Sequence, residues 1–188
     1  MSRWAWAEID LGAVRHNVEV LCEVAAPAAL WAVVKANGYG HGAVPVARAA
    51  LDGGAGGLCV ALAQEGMELR NAGLDCPILV LSEQPPTELA GAVRAGLELT
   101  VYSYAQLEAI AVAGGRQHPV HLKIDTGMRR VGAATADALG LAAAITASPA
   151  VRLAGAFTHL AVADHPDDPY NALQIESIND VVSTLALA

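Results

Sequence analysis

The chain has 188 residues, 54% of them hydrophobic and 16% charged, which supplies the core of one sizeable domain and excludes a disordered or solvating chain. A net charge of -8 gives no clustered positive footprint for nucleic acid or an anionic membrane surface, leaving room only for a local positive pocket around a small anion. Cys22, Cys59 and Cys76 are odd in number, lack metal-ligand spacing and sit beside apolar residues, so they read as free, reduced thiols of a cytoplasmic protein.

In chain order, the opening "MSRWAWAEIDLG" carries Glu8 and Asp10 where a signal peptide would be uninterruptedly apolar. The first apolar run, "LWAVVKA" (30–36), predicts a strand that stops in the glycines of "NGYGHG". A helix is predicted over 43–52. "DGGAGG" (52–57) follows that helix and precedes a strand, the reverse of a dinucleotide fingerprint, and predicts a helix end and turn. Strands over 57–62, 77–82, 97–103, 120–126 and 151–159 then alternate with helices over 64–71, 87–95, 104–113, 135–147 and 169–188. Ser103 and the pair Pro86 and Thr87 supply helix-start signals. The apolar-rich "LGLAAAITASPAVRLAGAF" is interrupted by Pro149 and Arg152, which excludes a membrane helix. "DHPDDP" (164–169) offers one His among flexible Asp residues and reads as a solvated acidic loop in preference to a metal site.

Six strand-then-helix units whose strands are apolar throughout indicate an α/β architecture with a parallel sheet. Their spacing of roughly 20–30 residues suits a doubly wound sheet or a (β/α)8 barrel equally. A closed barrel takes about 250 residues. Six units ending in the helical pattern "QIESINDVVSTLALA" therefore suggest a barrel fragment.

Lys35 stands out. In an extended "LWAVVKA", Trp31, Val33 and Lys35 share one face, which turns an ammonium toward the core. The lysine either lays its stem along apolar surface with its head in water, or is partly desolvated so that a neutral amine serves as nucleophile or base. Both readings put it at the C-terminal end of the strand, where parallel α/β folds build their sites. Gly38, Gly40 and Gly42 alternate with Tyr39 and His41, so the loop can bring backbone close to a ligand while presenting a phenol and an imidazole.

"AVVKANGYGHG" (32–42) resembles the pyridoxal-phosphate attachment site of alanine racemases, and "WAEIDLGAVRHNV" (within 4–18) resembles their N-terminal signature. "HLKIDTGMRRVG" (121–132) is similar to the family's Lys-x-Asp-Thr-Gly-Met-x-Arg-x-Gly segment, and "THLAVAD" (158–164) to its Thr-His-x-Ala-x-Ala-Asp segment. Together these matches span nearly the whole chain. The resemblance implies a (β/α)8 TIM barrel of the alanine racemase type, here about six βα units, with residues 1–188 forming part of the N-terminal barrel domain and the C-terminal β-domain absent.

It also implies a pyridoxal 5'-phosphate enzyme interconverting L- and D-alanine for peptidoglycan precursors, as a cytoplasmic homodimer with shared active sites. Lys35 would hold the cofactor covalently and then act as one of two proton-transferring bases, and Tyr39 would contact the cofactor phosphate. Arg130 would approach the cofactor's phenolic oxygen and the substrate carboxylate, a task suited to a planar guanidinium. Lys123 matches a lysine that supports this arginine and is carbamylated in some members, and His159 falls near the cofactor ring. Arg129 departs from the glycine common at its position. The second base, a tyrosine of the partner subunit, and an arginine contacting the pyridine nitrogen are expected beyond residue 188. A broader racemase accepting serine, and a non-catalytic fragment that at most binds the cofactor, are the alternatives.

Overall fold

Asp10 opens the first helix by accepting the Ala13 N–H at 3.0 Å, an N-cap that starts α1 (Leu11–Ala25). This helix was not among the sequence expectations. The computed structural model describes residues 4–114 and 116–185, and the last three residues of the helix expected over 169–188 lie outside them. The chain divides into two compact units, Met1–Leu79 and Val80–Ala188.

In the first unit, α1 packs against α3 (Ala43–Asp52) around Val18, Ala50 and Ala55, with Cys22, Leu30 and Ala32 against them. β1 (Trp31–Val33) and β2 (Gly57–Val60) run parallel, Trp31 opposite Gly57 and Val33 opposite Cys59. A Cβ on Gly57 would fall 2.7 Å from the Trp31 indole, so the large ring and the missing side chain are complementary. Between β1 and α3 lies α2 (Lys35–Tyr39), a left-handed turn. The α3 helix ends at Asp52 and the chain turns through Gly53 and Gly54, the latter at φ 100°, as "DGGAGG" predicts. α4 (Ala63–Asn71) follows β2 and buries Ala63 and Leu69.

β3 (Ile78–Val80), wholly buried, spans the boundary between the units. In the second unit come α5 (Pro86–Arg94), β4 (Glu98–Val101), α6 (Tyr104–Val112), β5 (His118–Asp125), β6 (Ala133–Ala134), α7 (Thr135–Ala147), β7 (Val151–Phe157) and α8 (Pro169–Thr184). β5 is flanked in parallel by β4, with Leu99 opposite Val120, and by β7, with His118 opposite Val151 and Lys123 opposite Phe157. The β5–β7 register shifts between Val120 and His121. Leu97, Leu99, Val101, Leu122, Ile124 and Ile145 are fully buried, and α7 packs on β5 and β7.

Ser103 caps α6 as expected, accepting the Gln106 N–H at 3.1 Å. α5 instead begins at Pro86 with Pro85 as its flanking residue, because a proline at the first helical position gives up an N–H that would be orphaned anyway. β6 was not expected. It is two residues long and exists only by pairing with Ile124 and Asp125 at the end of β5. All three cysteines are free, and no described helix is long and apolar enough to cross a membrane.

Candidate active site

The expectation for "LWAVVKA" needs a correction at the residue that matters most. β1 ends at Val33, and Lys35 is the first residue of the left-handed turn. Ala36 (φ 50°, ψ 48°), Asn37 (54°, 47°) and Gly38 (60°, 40°) adopt this conformation in succession, and Tyr39 continues it at φ 55°. An L-residue there brings its Cβ against the following carbonyl, at roughly 1–2 kcal/mol each. An alternating strand cannot persist through such a run. Val33 is 40% exposed, Val34 is 1% exposed and Lys35 is half-buried, so the lysine does not share a strand face with Trp31 and Val33.

A dense set of hydrogen bonds holds this strained turn. Gly38 N–H donates to Val34 O at 2.9 Å and Gly40 N–H to Ala36 O at 3.0 Å. The Asn37 side chain accepts from Ala43 N–H at 2.9 Å, its carbonyl accepts from Gly42 N–H at 2.9 Å, and His41 Nδ1 lies 2.9 Å from Gly38 O. Gly38 is buried, and a Cβ on it would approach Ala43 N to 3.3 Å. Glu65, on the first turn of α4, reaches across to accept the Ala36 N–H at 2.6 Å. Lys35 Nζ stands 6.0 Å from the centroid of the Tyr39 ring, and Tyr39 itself is 60% exposed. No ion pair engages Lys35 among the described residues.

In the second unit, Asp125 closes β5 and organises the loop behind it. Its carboxylate accepts the N–H groups of Gly127 and Arg129 at 2.9 Å and of Arg130 at 3.0 Å. Burial pushes its pKa up, but the backbone N–H groups of Arg129, Gly127, Arg130 and Met128 together outweigh it and hold the carboxyl below its ordinary range. Arg129 sits at φ 54°, the left-handed region, which accounts physically for a glycine preference at that position. Arg130 is exposed and, like Lys35, enters no ion pair among the described residues.

Lys123, Asp125, Arg130, Thr158 and His159 line one narrow cleft of this unit. Lys123 is 5% exposed, its Nζ 5.3 Å from the centroid of the Phe157 ring, and His159 is exposed. Of the five residues singled out in the sequence, the structure therefore groups Lys123, Arg130 and His159 here, and Lys35 with Tyr39 in the first unit. In "DHPDDP", Asp164, His165 and Asp167 are exposed, while Asp168 caps α8 by accepting the Tyr170 N–H at 2.9 Å.

Sequence reasoning missed the groups that hold these segments. Gln174, fully buried on α8, accepts the Ala161 N–H at 2.8 Å and donates to Thr126 Oγ1 and His159 O, each at 3.1 Å. Thr126 and Thr158 hydroxyls meet at 2.8 Å, and the Tyr170 hydroxyl donates to Gly127 O at 3.1 Å. Glu65 carried one readable signal, an acidic residue three positions after the flanking Leu62 of α4, the Glu half of a capping box. Gln174 carried none, since its partners, two backbone groups and the Thr126 hydroxyl, lie 13 to 48 residues away in sequence.

Residues 9–188 match the family described as "Alanine racemase, N-terminal domain". The chain belongs to the alanine racemase family. It is 43% identical over 189 residues to an alanine racemase of Symbiobacterium thermophilum, covering 99% of this chain and 50% of that protein. With alanine racemase 1 of Bacillus subtilis it shares 41% identity, over 98% of this chain and 48% of the relative. The crystal structure of alanine racemase from E. faecalis superposes with a TM-score of 0.88 at 38% identity, covering 94% of this chain and 49% of that one. The alanine racemase from Bacillus anthracis with bound L-Ala-P gives 0.88 at 34% identity, over 97% and 48%. The chain thus spans about half the length of the alanine racemases it matches. Its fold class is the α/β type of alanine racemase N-terminal barrels, which decides for barrel over doubly wound sheet.

Proposed function

We propose that this chain is the cofactor-anchoring part of a pyridoxal 5'-phosphate-dependent alanine racemase, which interconverts L- and D-alanine and so supplies D-alanine for cell-wall precursors. The observation that carries the reading is the contrast between its two lysines. Lys123 is 5% exposed, whereas Lys35 is half-buried, sits on a hydrogen-bonded left-handed turn and enters no ion pair among the described residues. A primary amine so held can react with an aldehyde.

Within each unit the residues suit such a cofactor: in the first, Lys35 would supply the amine and Tyr39 a phenol of the same turn, and in the second, Arg130 would supply a guanidinium suited to oxyanions. When bound, pyridoxal phosphate supplies the electron sink that makes a Cα proton removable. Lys35 would hold the cofactor through Nζ and, as a neutral amine, would take or return that proton as one of two bases. Arg130 would orient the carboxylate, Lys123 would support Arg130, and His159, from the same cleft, would orient the cofactor ring. The complementary base comes from a tyrosine of a partner subunit, in a homodimer of the whole cytoplasmic enzyme.

The test uses trapping. Incubation with pyridoxal phosphate followed by borohydride reduction and peptide mass spectrometry is expected to place a phosphopyridoxyl group on Lys35, with none on the Lys35→Ala variant. Labelling at Lys123 or the chain's amino terminus with Lys35 unmodified would overturn the reading.

A further inference from the structure

Glu65 lies 30 residues beyond Lys35 in sequence, yet its carboxylate is shared between two segments of the first unit. Oε1 accepts the N–H of Ala36, the residue directly after Lys35, at 2.6 Å. Oε2 accepts the N–H groups of Ala61 at 2.8 Å and Leu62 at 3.0 Å, where the chain leaves β2 and enters α4. Leu62 has no side-chain acceptor, and it is the Glu65 carboxylate that accepts these two amides at the helix start. Ala36 is also the first residue forced into the left-handed region, at φ 50° and ψ 48°. Fixing its N–H fixes the peptide plane between Lys35 and Ala36, and with it the direction in which the lysine leaves the backbone.

We propose that Glu65 is a positioning residue for Lys35, its two carboxylate oxygens tying the strained lysine-bearing turn to the end of β2 and the start of α4. The proposal deepens the reading of Lys35 as cofactor anchor and rests on it. The chemistry demands a carboxylate. Glutamine would offer one acceptor oxygen and an NH2 group that cannot accept; its oxygen satisfies two donors by staying on the Ala61 and Leu62 pair beside its own helix start, so the Ala36 N–H loses its partner. Aspartate keeps both acceptors on a stem shorter by one methylene.

Two readouts on the 188-residue chain test this. Amide hydrogen exchange without cofactor is expected to show the Ala36 N–H exchanging about tenfold faster or more in Glu65→Gln, the loss of a hydrogen bond to a charged acceptor. Ser103→Ala, which removes a helix cap in the second unit, should leave Ala36 unchanged. Borohydride trapping at limiting pyridoxal phosphate should give about tenfold less label on Lys35 in Glu65→Gln than in the unaltered chain, with partial recovery in Glu65→Asp. Unchanged exchange at Ala36 overturns the proposal, as does undiminished labelling where the unaltered chain is labelled. If the unaltered chain takes no label at Lys35, the anchoring reading has failed, and the exchange result alone decides whether Glu65 fixes the turn. Should Glu65→Gln not fold, Glu65→Asp carries both measurements.

Discussion

Gly132→Ala probes the loop that carries Arg130. Gly132 sits at φ 140°, and a Cβ there would fall 2.7 Å from Asp125 N and 3.0 Å from Ile124 C. Both contacts are backbone atoms at the end of β5, the longest strand, where Ile124 and Asp125 pair with β6, so no flexible side-chain tip can move aside. A side chain in a glycine-only backbone region costs roughly 1–3 kcal/mol, and overpacking against rigid neighbours about 1–3 kcal/mol more. The expected loss is near 4 kcal/mol, a large part of the ~5–15 kcal/mol that holds a domain together. Gly96→Ala in the same unit separates the two contributions, because Gly96 has φ 62° and no atom within 4 Å of its added Cβ. It should lose only the left-handed penalty of about 1–2 kcal/mol. Urea unfolding followed by circular dichroism, with a slope of about 1–3 kcal/mol per molar, should place the Gly132→Ala midpoint at least ~0.7 M below that of Gly96→Ala. Coincident midpoints would refute the close-contact argument.

Gln174→Leu removes three hydrogen bonds at a site with no solvent access, leaving the Ala161 N–H and His159 carbonyl without this partner. We expect a loss of about 2–4 kcal/mol with faster amide exchange at Ala161; a loss under about 0.5 kcal/mol with unchanged exchange would refute it. Stability should also fall in two stages on acidification. Burial lowers the His118 pKa from 6.5, while its bond to Leu97 O and the charge of Glu98 pull the other way, so the unfolded chain takes up this proton first and stability drops as pH falls below about 6.5. Glu98 is held low by its hydrogen bond from His121, against the pull of burial, and Asp125 by its backbone N–H groups; stability present above their ordinary values of 4.5 and 3.8 is lost as pH falls through the folded ones. Urea midpoints between pH 8 and pH 3 check the sequence, and His118→Gln should flatten the first stage while leaving most of the second.

Helices α3, α4, α6 and α7 were legible because their signals are local: periodic apolar positions, a Ser103 cap, a glycine turn after Asp52. Strand cores were legible as apolar runs, and the candidate site residues as a cation at a run's end and a Lys-x-Asp pattern before paired arginines. The left-handed turn was not, because Ala36 and Tyr39 adopt it against their own preference, and contacts such as the Asn37 side chain to Ala43 N–H and the distant Glu65 carboxylate to Ala36 N–H, which make it tolerable, are not local in sequence. β6 was invisible for the same reason, its two alanines being a strand only through Ile124 and Asp125.

The same physical device recurs in both units. Glu65 and Asp125 are carboxylates near candidate cations, and pairing them with Lys35 and Arg130 as salt bridges would be the first expectation from charge alone. Each instead devotes its oxygens to backbone N–H groups, Glu65 to Ala36, Ala61 and Leu62, and Asp125 to Gly127, Arg129 and Arg130. The division has a chemical consequence. A lysine neutralised by its own carboxylate would be held as ammonium and lost as a nucleophile, and an arginine already paired would compete poorly for a ligand's oxyanion. By gripping the loop backbones, the acids spend their hydrogen-bonding capacity on geometry. Positive φ at Ala36, Asn37, Tyr39 and Arg129 is the conformational cost of that arrangement, and it is borne at the two loops that present Lys35 and Arg130.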